Sequence, residues 1–374
     1  MAAFTGQLRS NEIFSALYNM IISQEVFADN LGEHQTLVDK ARVDGSLYGD
    51  TKLYYSTDVL KSAPWGADAE AANLLALHRP EAPKCQAIHL DVFRQICLTV
   101  DNYLSKRAWA NEGTFSAFNG VMLGWMRETK RVYDGTLYNV FIGTTVSPKA
   151  TQNREVPVKG LTDAKEEAMV IAQELADLLV EMGDYSRDFN DNGFLRSYAK
   201  EGIKVVWNSK FVDKIRKIDL PTIFHKDGLI DKFEEEIMPA RYFGRVLTAD
   251  DAKASGIIAN NVVVAGKGVR SRIEKDITIS ETAYHVFPGD LIPAGAKVGG
   301  ASAQFAYTDA YVEDADIICK VLVKLPPYMS AFEVGTSFFN PKSLTENHYL
   351  TFGHNTIEYL ENYPFITVKA VAAK

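Results

Sequence analysis

Asp188, Asn190, Asn192 and Gly193 occupy the first, third, fifth and sixth positions of a calcium-loop pattern, in which short oxygen ligands converge around a glycine turn. The twelfth position should supply a bidentate carboxylate, and it is Ala199. Without that ligand the segment reads as an Asx-rich turn joining a helix to a strand. Val264-Ala-Gly266-Lys267-Gly268 resembles the end of a phosphate loop, but Asn261 stands where the first glycine belongs and Gly268 where the magnesium hydroxyl belongs. A glycine-rich turn with a solvated lysine is expected there. Cys85 and His89 are four apart in a β-prone run with no second pair at zinc spacing. The seven histidines form no HExxH motif, and no GxSxG nucleophile elbow occurs. Glu234-Glu235-Glu236 is expected to be a solvated helix face or turn. Hence no catalytic, cofactor-binding or metal-ligating residue is assigned and no cofactor is expected, although one sequence leaves a triad of distant residues open.

The elements that would position any site are more telling. Residues 113–143 read as one long helix of roughly 45 Å at about 1.5 Å per residue. Its stripe is Phe115, Phe118, Met122, Trp125, Met126, Val132, Tyr133, Leu137, Val140 and Phe141. A helix of that length cannot be wrapped by its own domain, so it is expected to support something extended. Before it, Leu53, Tyr54, Tyr55 and Val59 form an outbound β-prone run. The return run places Ile88, Leu90, Val92, Ile96, Leu98 and Val100 on one face, broken only by Arg94. Between the two runs, Ser62 to Lys84 carries Pro64, Gly66, Pro80 and Pro83 and reads as a long projecting loop. Ahead of them, Ile13, Phe14, Leu17, Met20 and Ile21 give a short amphipathic helix in an N-terminal arm.

After the long helix, Val146 to Lys159 reads as a polar linker. A second helix follows on Ala164, Ala168, Ile171, Leu175, Leu178 and Met182, with Thr162 or Asp163 as its cap and Gly183 at a left-handed end. Ile203 to Trp207 reads as a strand, Asn208-Ser209 as a cap, and Phe211, Val212 and Ile215 as a short helix. Strands are expected at 262–264, 277–279, 306–308 and 317–323, and a β-prone aromatic tail runs from Asn347 to Val371 with bends at Gly353 and Pro364.

Composition narrows the classes. Hydrophobic residues at 47% and charged residues at 24% are ordinary for a globular chain. No apolar run approaches a membrane span and the start lacks a secretory pattern. Three widely spaced cysteines suggest reduced thiols in a cytoplasmic setting. A net charge of −8 argues against a sequence-specific nucleic-acid reader, though not against a protein that encloses nucleic acid without gripping it.

Taken in order, these segments resemble the major capsid proteins of tailed bacteriophages, the Hong Kong 97 fold. Gly49-Asp50-Thr51 leads into the extended loop, and Thr114-Phe-Ser-Ala-Phe-Asn119 opens the spine helix. Leu161–Met182 with Ile203–Ile215 resembles the axial domain, and Leu344–Phe352 through Ile366–Val368 the peripheral strands. The resemblance implies an α+β fold divided into an N-terminal arm (1–47), an extended loop with its return strand (48–100), a peripheral domain with the spine helix (101–159), an axial domain (160–335) and returning peripheral strands (336–374).

It further implies a non-enzymatic protein that assembles with itself as pentamers and hexamers into an icosahedral shell around double-stranded DNA. Portal and decoration proteins are further partners that the resemblance implies, and the implied location is the virion, with assembly in the host cytoplasm. No scaffold-like segment precedes residue 1, so either a separate scaffolding protein or an already matured form of the subunit is expected, and no Lys–Asn crosslinking pair is assigned. An encapsulin-like compartment is the alternative within the fold; an α/β enzyme is the alternative outside it.

Overall fold

The computed structural model describes residues 37–45, 51–62, 77, 79–101, 112–216, 234–250, 256–265, 267–300 and 304–372, with backbone only for 44, 112–123, 213–216 and 332. The amphipathic arm segment around Ile13–Ile21, most of the projecting loop, and the side chains of Phe115, Phe118 and Met122 lie outside the described residues.

Two five-stranded sheets dominate, and they are built from different kinds of sequence. The first has the order β1 (Arg42–Asp44), β15 (Tyr328–Asn340), β16 (Thr345–Asn355), β3 (Lys84–Asp101) and β2 (Thr51–Ser56). Along β3 burial alternates residue by residue, as the period-2 pattern requires. Ile88, Leu90 and Val100 are buried, while His89, Asp91, Phe93, Gln95, Cys97 and Thr99 are exposed on the other face. Arg94, the one polar break in the apolar row, stays on the inner face opposite Phe352. β3 runs on antiparallel to β16 after β2 ends, giving an 18-residue strand.

The second sheet has the order β4 (Asn153–Lys159), β17 (Phe365–Ala372), β14 (Ile317–Leu322), β5 (Lys204–Asn208) and β6 (Glu234–Met238). Every residue of β14 is buried, because both faces of this sheet are covered. On one face Val205, Trp207, Cys319, Val321, Ile366 and Val368 pack under α3 (Ala164–Gly183), whose Ile171, Leu175, Leu178 and Met182 supply the other half of the core. On the other face Val206, Leu322 and Phe365 meet Tyr138, Val140 and Ile142 near the end of the long helix α2 (Glu112–Thr144). Ahead of both, α1 (Leu37–Ala41) buries Leu37, Val38 and Ala41 in the same cluster. The seven short strands β7 to β13, between Gly244 and Glu313, make a smaller β unit with its own core around Ile258, Val263, Ile277, Val298 and Phe305.

Local rules explain several boundaries. Asp163 caps α3 by accepting from Lys165 N at 2.9 Å. Asn208 caps α4 (Ser209–Arg216): its Oδ1 accepts from Lys210 N at 3.1 Å, and its amide donates to Ile317 O at 2.9 Å. Gly143 lets α2 touch the Tyr242 carbonyl; any Cβ there would overlap it.

Five expectations need correction. Residues 146–159 are not merely a linker: 153–159 form β4, which tolerates Pro157 because it is an edge strand. The chain leaves α3 in an extended conformation at Asp184, so Gly183 closes no left-handed cap. Glu234–Glu236 lie in edge strand β6 rather than in a helix or turn. Tyr307–Asp309 form a short 3-10 turn rather than a strand. Finally, 336–374 do not return together: β15 and β16 stay in the first sheet, whereas β17 crosses into the second between β14 and β4.

Candidate functional site

The long helix is expected to carry an apolar stripe, yet its inward face also carries charge. Met126, Tyr133, Tyr138, Val140 and Ile142 are buried, and so are Lys130 and Asp134 among them. Asp134 is 0% exposed and accepts from Lys130 Nζ at 3.2 Å, Arg42 Nη2 at 3.1 Å and the Tyr328 hydroxyl at 2.7 Å. Lys130 also approaches Glu333 at 3.4 Å and lies 5.3 Å from the Phe352 ring centre. A buried carboxylate is tolerable only when donors saturate it in this way. The residues missed in the sequence had one visible signal: Lys130 and Asp134 stand four apart, the spacing of a helical ion pair, inside an otherwise apolar face.

One turn along, the Tyr133 hydroxyl meets His354 Nε2 at 2.8 Å, while His354 Nδ1 faces the Asn355 carbonyl at 2.8 Å. A carbonyl only accepts, so Nδ1 carries the hydrogen and Nε2 accepts from the tyrosine. Burial pushes the His354 pKa below its ordinary value, against the Asn355 hydrogen bond that favours the charged ring. Burial likewise raises the Tyr133 and Tyr328 hydroxyls well above the usual phenol range. Arg94 stacks 4.9 Å from the Tyr133 ring and pairs with Glu274 at 2.9 Å, reaching the small β unit. The network therefore ties β1, the long helix, the first sheet and that unit together. Its charged groups are engaged with one another.

The opposite side of these elements is left open by the described residues. Trp125 and Val132, expected on the stripe, are 37% and 38% exposed. On the first sheet's outer face Phe338 is 63% exposed, and Phe93 and Val334 are also open. Phe93 lies across Gly353, where any Cβ would be 3.2 Å from the ring. Around these aromatics runs a polar ladder: Thr99 donates to Asn347 at 2.7 Å and Gln95 to Thr351 at 3.0 Å. Leu53, Tyr55, Leu60 and Leu77, at the root of the extended loop, are at least half exposed. Clustered apolar exposure of this extent marks a contact surface.

The motifs with chemical promise fall elsewhere and do not converge. In the 188–193 segment, Asn190 is fully buried and closes an Asx-type loop, donating to Phe194 O at 2.7 Å and accepting from Phe194 N at 2.8 Å. Asp191 accepts from Ser147 at 2.7 Å, from Gln152 at 2.5 Å and from the Tyr359 hydroxyl. Its oxygens are thus engaged by three separate segments. Cys85 and His89 share the exposed face of β3, and His89 bonds Thr51 at 2.9 Å. Glu234 and Glu236 both hold Lys40, and Glu234 also holds Lys204. Gly268 sits at a left-handed turn (φ 62°), and Gly266 lies outside the described residues. No group of three or more metal-ligating side chains converges among the described residues.

No protein-family profile and no curated relative matches this chain. Solved structures do. A chain in the capsid structure of Staphylococcus phage Andhra superposes with a TM-score of 0.58 at 10% identity, covering 91% of this chain and 86% of that one. The chain has the phage-capsid fold. A chain from the structure of the head fiber and inner core protein gp22 of native bacteriophage P68 superposes with a TM-score of 0.54 at 10% identity, covering 87% and 83%. In this α+β fold the long helix, the extended β2–β3 excursion and the two mixed sheets take up most of the described residues.

Proposed function

We propose that this chain is the major capsid protein of a tailed phage, a structural, non-catalytic subunit. It assembles with itself as pentamers and hexamers into an icosahedral shell around double-stranded DNA. The observation that carries this reading is a capsid fold spanning 91% of the chain, in which the long helix and the extended sheet carry apolar faces that no described residue covers. Closed symmetric assembly buries such faces on neighbouring copies. The net charge of −8 suits a wall that encloses DNA without binding it tightly.

In this reading 1–47 is the arm, 48–100 the extended loop, and 101–159 with 336–355 the peripheral part. Residues 160–335 form the axial part, which β17 joins at the end of the chain. Scaffolding, portal and decoration proteins are the further partners, with assembly in the host cytoplasm and residence in the virion.

Expression of the chain with and without its scaffold, followed by negative-stain microscopy, tests the reading. Closed shells, capsomers or tubes are expected. A monodisperse monomer under both conditions contradicts it, and particles filled with a cargo protein instead of DNA point to an encapsulin-like compartment.

A further inference from the structure

Lys320 is an unusual residue to find in the middle of β14. It is 0% exposed, and its side chain faces the end of the long helix. Its Nζ donates to Thr145 O at 2.8 Å, one residue past α2, and to Thr367 Oγ1 on β17 at 2.8 Å. The Phe365 ring centre is 5.6 Å away. No carboxylate lies within ion-pair distance of it among the described residues.

The charged groups around it are few. Asp314 is engaged with Lys369 at 2.7 Å, so the two largely cancel at Lys320. Cys319 precedes it in the strand, and burial raises that thiol far above its ordinary range, leaving it neutral. On β5 its cross-strand partner is Val206, and on β17 it is Thr367; neither carries charge.

A neutral amine carries two N–H donors and an ammonium carries three. Two acceptors are present. The helix-end carbonyl and the Phe365 ring favour a cation, while complete burial without a counter-ion opposes one more strongly. We propose that Lys320 is a proton-sensitive joint: as the neutral amine it fastens the end of the long helix to the second sheet, and protonation loosens that fastening. In agreement, burial lowers the amine pKa from the ordinary lysine value to about 7, with Asp314 opposing the shift and Lys369 adding to it.

A released lysine titrates near its ordinary value and the docked one near 7, so closing the joint expels a proton between those limits. Closure is therefore favoured as pH rises, by up to about tenfold per pH unit above 7, and levels off below 7.

Amide hydrogen exchange of residues 138–145 in the full-length subunit, at pH 7 and pH 9, tests this. Wild type should gain protection severalfold to tenfold per pH unit, whereas Lys320→Met, weaker overall because Thr145 O and Thr367 lose their donor, should show no such slope. Parallel pH slopes in the two proteins overturn the proposal. If Lys320→Met does not fold, NMR titration of carbon-labelled lysines in the wild-type subunit decides. A midpoint near 7 for Lys320 supports the joint, and a midpoint above 10 overturns it.

Discussion

The two five-stranded sheets solve opposite problems. The second is covered by α3 on one face and the long helix on the other, so β14 is buried at every position. The first is covered on its inner face only, and its outer face keeps Phe93, Val334 and Phe338 in solvent. One sheet is complete within the chain. The other is stable through its inner face, its buried charge network and its long strand pairing, yet it carries apolar surface that the described residues do not cover. Substitutions should therefore separate folding from assembly according to the sheet they strike.

The largest effect is expected for Val321→Asp. It places a carboxylate in a fully buried strand and should cost more than about 4 kcal/mol, leaving no cooperative thermal transition in the subunit. Asp134→Ala should cost about 3 kcal/mol in denaturant titration, because Lys130 remains buried and loses its carboxylate. On the long helix, Met126→Asp should destabilise by about 2–3 kcal/mol, while Trp125→Asp, one residue away on the exposed side, should cost less than about 1 kcal/mol. Equal losses from that pair would mean that the helix face is misassigned. Phe338→Asp should change subunit stability by no more than about 0.5 kcal/mol and still abolish particles in sedimentation.

The smallest expected effect is at Asp58. It accepts from Leu195 N at 2.9 Å and from Arg187 at 2.5 Å, tying the root of the extended loop to the 187–196 turn. The Leu195 amide, then Arg187, hold its carboxyl down at about 2. A lowered pKa contributes above the unfolded value and is lost as pH falls through the folded one, so this tie should persist at pH 4 and release near pH 2. Asp58→Asn should speed exchange of the Leu195 amide at neutral pH without shifting the global melting transition.

Much of the architecture was legible because its signals are periodic. The alternation in 88–100 and the three-and-four spacing in 164–182 report which faces are buried, and both elements stand where expected. The cap at Asn208 was legible for the same local reason. What escaped depends on partners distant in sequence. β4 became a strand because β17 lies beside it, and Glu234–Glu236 are held in an edge strand beside β5 and clamped by Lys40 and Lys204. The stripe on the long helix was mistaken at Trp125 and Val132 because apolar character alone does not distinguish a buried face from one left open. Beyond the four-residue spacing of Lys130 and Asp134, the burial of these two and of Lys320 is not legible, because their other partners come from residues up to about 200 positions away.

Other copies of the chain should complete the first sheet's open face and the loop root. In a side-chain-resolution reconstruction of assembled particles, Phe93, Phe338, Tyr55 and Leu60 should pack within about 4.5 Å of a neighbouring copy. Closed shells in which these residues face solvent, or the absence of shells altogether, would contradict this.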